Sequence, residues 1–184
     1  MTLAALALMR SVDTTTIISG NLAFKQSATA SSDTGVESAI TWLAGIQAAN
    51  NTKNVLTDAT HPFNISNTAN AANGYYSNAD PALNLTADAT WVDASSKLVG
   101  TDTSGNTTRF IIQRLCRTAN QPIQSASCLF SGELVDNNGQ QVRLPQETCN
   151  GSGCPVAGQS PQIRITTRTT GPRNTVSYIQ AFVY

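Results

Sequence analysis

The sequence predicts an α+β fold in which a long N-terminal helix packs on an antiparallel β-sheet head. Three observations support this prediction: the first 50 residues lack proline and space their apolar residues at helical intervals, the C-terminal residues alternate like strands, and all four cysteines follow residue 115. We divide the chain into an N-terminal helix over residues 1–50, a loop-rich connecting region over 51–106, and a cysteine-bearing sheet over 107–184.

The helix is predicted over residues 2–49, where apolar residues recur mostly three or four positions apart. Its second half has the clearest pattern. Val36, Ile40 and Leu43 follow the i, i+4, i+7 spacing of one helix face, with polar residues between them. These three residues are therefore predicted to pack on the sheet. Bends are expected where a glycine or a run of β-branched residues interrupts the pattern.

A helix of this length extends about 70 Å, which is more than the rest of the chain can cover. Its N-terminal part is therefore expected to protrude or to contact a partner. The residues predicted to make helix-to-helix contacts between subunits are Leu3, Leu6, Leu8, Val12 and Ile17. Packing within this chain remains the alternative for them.

The apolar run at residues 3–9 is too short to cross a bilayer, which takes about 20 residues. It also lacks the basic flank and the small-residue cleavage site of a secretory signal. Two interpretations stay open for it. It is an ordinary amphipathic helix end, or it is the lower end of a longer apolar segment.

The four cysteines, Cys116, Cys128, Cys149 and Cys154, are predicted to form two disulfides. Their spacings lack the paired C-x2-C pattern of zinc sites, and the chain has a single histidine. Disulfides imply an oxidising compartment. Three pairings are open; we favour Cys116 with Cys128 and Cys149 with Cys154, because a glycine-containing loop separates the last two cysteines.

The connecting region is punctuated by turn-forming pairs and is expected to consist of loops with short elements. A short helix over residues 87–97 is one option. Aromatic and aliphatic side chains are predicted to pin this region to the head, and they are Tyr75, Tyr76, Leu83, Leu85 and Trp91.

The strand signals begin at Thr107. The predicted strands are residues 107–117, 132–135, 141–144, 162–169 and 174–184. Residues 136–139 are predicted to form a hairpin turn of the Asn-Gly type. The last strand carries apolar residues on both faces, namely Val176, Tyr178, Ile179, Phe182 and Val183. We expect both of its faces to be covered, one of them by the amphipathic half of the helix.

Composition argues against several function classes. The 11 basic and 11 acidic residues balance, and no cluster of Lys and Arg suits phosphate binding, so nucleic acid is not an expected partner.

The sequence also offers little support for catalysis. His61, the single histidine, is interpreted as a turn residue, and no hydrolase or metalloprotease motif occurs. Glu133, Glu147, Asp136 and Asp102 fall in predicted turns or strand ends, which favours neither glycosidase nor calcium chemistry. We predict no enzymatic activity, no metal and no cofactor.

Five short stretches are distinctive. In the helix they are ALALMRS at 5–11, GNLAFKQ at 20–26 and GVESA at 35–39; in the head they are RLC at 114–116 and GPRNTVSYIQ at 171–180. They resemble the PilX-type minor pilins of bacterial type IV pili. The resemblance implies a type IV pilin-like fold. The family's basic leader, cleavage site and apolar segment with a glutamate at the fifth mature position do not occur in this sequence, and we expect them upstream of residue 1.

The resemblance also implies a function and a location. Minor pilins of this kind prime pilus assembly and form part of a tip complex with other minor pilins and the major pilin, with a large tip-associated adhesin as a further option. The chain is then expected in the inner membrane and periplasm before assembly, anchored by the segment upstream of residue 1, and afterwards in the pilus fibre at the cell surface. The alternatives are a minor pseudopilin of a type II secretion system and a carbohydrate-binding or adhesive surface module.

Overall fold

The longest element of the fold is the N-terminal helix, α1 (Thr2–Ala49), which continues through both glycines of the predicted bends. The computed structural model describes residues 2–66, 74–131, 153–155 and 159–184, and it describes the side chains of α1 at residue 10 and from residue 12 onward. From Phe24 to the end of the helix, α1 lies across one face of a β-sheet. The coarse prediction of a long helix on a sheet, an α+β arrangement, is therefore confirmed.

The sheet is mixed rather than purely antiparallel. The strands of the described residues are β1 (Tyr75–Tyr76), β2 (Lys97–Thr101), β3 (Thr107–Arg114), β4 (Phe130–Ser131), β5 (Ser160–Pro161), β6 (Ile163–Gly171) and β7 (Thr175–Val183). The main sheet has the order β1-β3-β6-β7, with β2 beside β1 on the same edge of β3. The strand β1 runs parallel to β3, which corrects the prediction of an antiparallel sheet, and β2, β6 and β7 pair antiparallel. The strands β4 and β5 form a separate pair.

The core lies between α1 and the inner face of the sheet. It consists of Ala39 and Leu43 from the helix, Tyr75 from β1, Phe110 and Ile112 from β3, and Ile165 from β6. All of these side chains are buried. Because strand residues two apart share a face, Phe110 and Ile112 both point at the helix. Val36 and Trp42 pack against this cluster from its border.

The close approach of helix and sheet depends on small residues. Ala28, Ser32, Gly35 and Ala39 recur at intervals of three and four and are buried against the strands. A Cβ atom on Gly35 would lie 2.7 Å from Thr108 Cγ2 and 2.9 Å from Thr167 Cγ2. The methyl groups of these two threonines thus occupy the space that any larger residue at position 35 would need.

Two further expectations from the sequence were wrong. Residues 87–97 form only a 3-10 turn at Asp88–Thr90 and further turns before β2. The Ser95 hydroxyl donates to the Thr90 carbonyl at 2.7 Å, and such local side-chain bonds to the backbone compete with helix formation. The outer face of β7 is uncovered at Val176 and Phe182, which are 39 % and 55 % exposed. The hairpin predicted over 132–144 lies outside the described residues.

Candidate assembly surface

The surface that stands out from the fold is the N-terminal half of α1. Val12, Ile17, Ile18 and Leu22 are 61 %, 60 %, 61 % and 55 % exposed. They do not share one side, because successive helical residues are about 100° apart and these four positions are distributed around the helix. A helix that is apolar on several sides is ordinarily surrounded by other protein or by lipid.

The part of this half from residue 14 to residue 24 carries no charge. Residues 14–24 lie between Asp13 and Lys25 and contain no acidic or basic side chain. Two of its threonines satisfy their hydroxyls within the helix, since Thr14 donates to the Arg10 carbonyl at 2.8 Å and Thr16 donates to the Val12 carbonyl at 2.9 Å. Because these hydroxyls already have hydrogen-bond partners, burying them costs less free energy than burying unbonded hydroxyls.

Among the described side chains, the first contact between the helix and the head is at Phe24. The Arg173 guanidinium, from the turn between β6 and β7, lies over the Phe24 ring at 5.6 Å from its centroid. One to two turns further along, the hydroxyls of Thr29 and Ser177 lie 3.3 Å apart. About 30 Å of helix therefore precede the first described contact with the head.

A polar latch fixes the helix to the loop between β2 and β3. The Asp102 carboxylate accepts hydrogen bonds from the Ser31 hydroxyl at 2.5 Å, from the Asn106 amide at 2.8 Å and from backbone N–H groups. The Asn106 amide also reaches Ser27 at 2.9 Å. The Ser31 hydrogen bond, followed by those from Asn106, lowers the pKa of Asp102 to about 2. The Asp102 carboxylate therefore has a structural role, since it links the β2–β3 loop to the helix.

The residues predicted for helix-on-sheet packing do not behave alike. Leu43 is buried in the core and Val36 packs at its border. Ile40 is 38 % exposed and lines a cavity of about 360 Å³ between α1 and the end of the sheet. Of the five predicted contact residues, Val12 and Ile17 are exposed, whereas Leu3, Leu6 and Leu8 lie on α1 with side chains outside the description.

The described residues contain one disulfide, Cys116–Cys128, which is the first of the two favoured pairs. None of the described cysteines is free. The second predicted pair includes Cys149, which lies outside the described residues, so the pairing of Cys149 with Cys154 stays a prediction.

In a carbohydrate-binding module, aromatic side chains such as Tyr75, Tyr76 and Trp91 would offer a ring face to a sugar. Tyr75 is buried, donates its hydroxyl to the Phe63 carbonyl at 2.8 Å, and stacks near Trp42 with 5.5 Å between ring centroids. Trp91 is 4 % exposed and donates its indole N–H to the Leu85 carbonyl at 2.9 Å. Tyr76 donates its hydroxyl to the Ser95 carbonyl at 2.9 Å. In this arrangement Tyr75 and Trp91 offer no open ring face to a sugar.

Two buried polar residues at the base of the head were not singled out from the sequence as buried groups. Arg114 is 1 % exposed and donates to the carbonyls of Ser77 and Gln121 and to the side-chain oxygen of Asn64. Burial lowers the pKa of its guanidinium. His61 is fully buried, its Nδ1 accepts the Phe63 N–H at 3.1 Å, and its Nε2 has no partner.

The remaining groups of chemical interest are dispersed. Within the part of the chain that the structure describes, no three or more His, Cys, Asp or Glu side chains come together as metal ligands. Over the same residues, no helix combines the length and the hydropathy of a membrane span.

The small residues through which the helix contacts the sheet were visible in the sequence but were not recognised. Ala28, Ser32, Gly35 and Ala39 follow helical spacing, yet a search for large apolar residues does not detect them.

Comparison with known proteins gives no match: no protein-family model, no curated protein and no solved structure is similar to this chain.

Proposed function

We propose that the chain is a minor pilin of a bacterial type IV pilus, a structural and interaction protein with a pilin-like fold that primes fibre assembly and joins the tip complex. The observation that carries the proposal is the set of exposed apolar residues Val12, Ile17, Ile18 and Leu22 in the N-terminal half of α1, on a helix whose described contacts with the head lie in its second half.

The energetics favour burial of that half against other subunits. Fully burying a Val, Leu or Ile side chain contributes about 1.5 to 3 kcal/mol, and the four described residues are each more than half exposed. Because they point to different sides of the helix, more than one neighbouring helix is needed to cover them. A bundle of pilin helices supplies such neighbours.

The head suits a position outside such a bundle. The latch at Asp102 and the contact of Arg173 with Phe24 fix the head to the helix near the point where the exposed stretch ends. The disulfide Cys116–Cys128 fits the oxidising periplasm and cell surface. On this proposal the partners are other minor pilins and the major pilin, with a tip-associated adhesin as a further option, and the chain moves from the inner membrane and periplasm into the fibre.

A minor pseudopilin of a type II secretion system is the second candidate, because the same helix and head would serve it equally well. An adhesive or carbohydrate-binding module is the third candidate. The inward orientation of Tyr75 and Trp91 gives it less support, and absence of binding on a broad glycan array would remove it.

The test is complementation in the parent cells after deletion of the gene. We expect loss of surface fibres by electron microscopy, and restoration by the wild-type gene but not by a Val12→Glu and Ile17→Glu double variant. The matched control is Val92→Glu, which changes a head residue that is 47 % exposed. All purified variants should melt like the wild type, since the altered residues are exposed.

Normal fibres after deletion would contradict the pilin proposal, and so would full restoration by the double variant. Loss of protein secretion with intact fibres would instead favour the pseudopilin.

A further inference from the structure

The turn between β6 and β7 contains a backbone conformation that arginine rarely adopts. Within the 3-10 turn Pro172–Asn174, Arg173 and Asn174 have φ angles of 57° and 58°, which lie in the left-handed region. Asparagine tolerates this region because its short polar side chain can bond locally, whereas arginine lacks that compensation. Such a conformation costs free energy and persists where surrounding contacts maintain it.

The side chain of Arg173 makes its described contact with the helix. Its guanidinium lies 5.6 Å from the centroid of the Phe24 ring, within the range of about 6 Å for cation–π attraction. The ion pairs within the described residues involve Arg109 and Arg168 but not Arg173. The Phe24 ring is therefore the described partner that maintains the unusual backbone at Arg173.

The base of the turn is fixed to the polar latch. A Cβ atom on Gly171 would lie 2.5 Å from Asn106 Oδ1, so glycine is required there. The Asn106 amide in turn donates to Ser27 at 2.9 Å. At the other end of the turn, the Thr175 hydroxyl donates to the Pro172 carbonyl at 2.9 Å. The arginine side chain thus extends toward the helix from a base that cannot shift without disturbing the latch.

The contact at Phe24 adds one turn to the part of α1 that the head holds. Phe24 precedes Ser27 by three residues, or about one helical turn of 5.4 Å. Without the contact from Arg173, Ser27 would be the first residue of α1 held by the described part of the head. Leu22, which is 55 % exposed, lies just before this turn. The state of this single turn therefore decides how much of the helix is supported.

We propose that Arg173 is a positioning residue that holds Phe24 and so determines where the supported part of α1 ends. With the guanidinium over the ring, the helical turn from Phe24 to Ser27 is held against the head. When the contact is released, this turn opens together with the exposed half, and the backbone at Arg173 can leave the left-handed region. A partner that covers Leu22 then meets a helix whose exposed length is set by this pair. The inference concerns one chain and does not depend on the proposed function.

Backbone amide hydrogen exchange of the intact chain, followed by NMR, tests the proposal. Arg173→Gln removes the cation, and Phe24→Leu removes the aromatic ring while keeping an apolar side chain. Each should make the amides of residues 24–27 exchange about two to five times faster, the factor for one exposed cation–π contact. The double variant should exchange about as fast as either single variant, because the two side chains act through one contact.

Three further variants separate the contact from the backbone. Arg173→Lys keeps a positive charge and should retain most of the protection at residues 24–27. Asn174→Gly relieves the neighbouring left-handed residue, leaves the guanidinium in place and should not change the exchange there. Arg173→Gly should speed the exchange as Arg173→Gln does, but should lower the melting temperature less, since glycine adopts the left-handed region freely. The amides of Ala39 and Leu43, which lie in the core, are the internal reference.

Any of three results would overturn the proposal. The first is unchanged exchange of residues 24–27 in Arg173→Gln. The second is a double variant whose acceleration is the product of the two single accelerations, because the side chains would then act separately. The third is an equal acceleration at Ala39 and Leu43, which would mean that the substitution weakens the whole fold rather than this turn of the helix.

Discussion

Gly35 of the helix faces Thr108 of the sheet so closely that a Cβ atom on residue 35 would lie 2.7 Å from the threonine Cγ2. The contact is part of a seam in which hydroxyl groups pair across the interface. Ser32 donates to Thr169 Oγ1 at 2.8 Å, and Thr108 and Thr169 hydroxyls are 2.8 Å apart. The helix thus contacts the sheet through small and hydroxyl-bearing residues, and the apolar core lies further toward the C-terminal end of the helix.

Substitution of Gly35 and of Gly45, two of the three glycines of the helix, by alanine should therefore have opposite effects. Gly35→Ala should lower the free energy of unfolding by about 1 to 3 kcal/mol, because the added methyl group forces the helix away from Thr108 and Thr167. Gly45→Ala has no atom within 4 Å of the new Cβ and should raise it by about 0.5 to 1 kcal/mol. Urea denaturation measures both. Equal effects of the two substitutions would show that the close approach at Gly35 is not real.

Leu43 and Ile40 should also differ, although both belong to the apolar stripe predicted from the sequence. Leu43→Ala should cost about 2 to 5 kcal/mol, since this side chain is buried in the core. Ile40→Ala should cost less than about 1.5 kcal/mol, because 38 % of Ile40 is already exposed. The comparison is again made by urea denaturation. A loss at Ile40 as large as that at Leu43 would mean that the helix is rotated relative to this account.

His61 should make the stability of the head depend on pH. Burial lowers the pKa of His61 below its ordinary value of 6.5, and the positive charge of Lys53 acts in the same direction. As the pH falls below 6.5 the unfolded chain takes up this proton before the folded chain does, so the free energy of unfolding decreases. Since one proton is involved, the slope from this residue is at most about 1.4 kcal/mol per pH unit.

The variant His61→Asn isolates that contribution, because an asparagine oxygen can accept the Phe63 N–H in place of Nδ1. Melting curves of both proteins from pH 7.5 to pH 5, or about 2.5 units, are compared. The wild type should lose stability more steeply than the variant. Parallel curves would contradict the buried, neutral state of His61.

The Cys116–Cys128 bridge should stabilise the head by about 3 kcal/mol, since it closes a loop with a sequence separation of 12. Replacing both cysteines by serine should lower the melting temperature by about 6 to 12 °C for a chain of this size. The matched control replaces Cys149 and Cys154, so that the two predicted bridges are measured separately. An unchanged melting temperature in the first double variant would contradict the bridge.

The helix and the final hairpin of the sheet were predictable from local signals. The alternation around Ile163 and Ile165 predicts β6, and the Gly171-Pro172 turn predicts the return into β7. The disulfide Cys116–Cys128 belongs to the local pairing, which the sequence favoured among three open ones. These features depend on residues close together in the chain, where periodicity and turn chemistry are informative.

What the sequence did not reveal depends on distant residues. The strand β2 was missed because its pairing partner, β3, supplies most of the reason for it to be extended. The buried state of Arg114 was missed because its acceptors, including Ser77 and Gln121, are brought together only by the fold. The exposure of Phe182 is likewise a property of the strand order, since β7 is the last strand in the described sheet.

The central claim is that the N-terminal half of α1 is buried among the helices of a fibre, and the most direct test is mass spectrometry of pili sheared from the parent cells. The account predicts peptides of this chain in the purified fibre fraction, with a processed and methylated N-terminus upstream of residue 1, and crosslinks from a cysteine placed at Ile17 to other pilin subunits. The claim would be contradicted if the chain were absent from the fibres and the variant with cysteine at position 17 formed no crosslink to other pilin subunits.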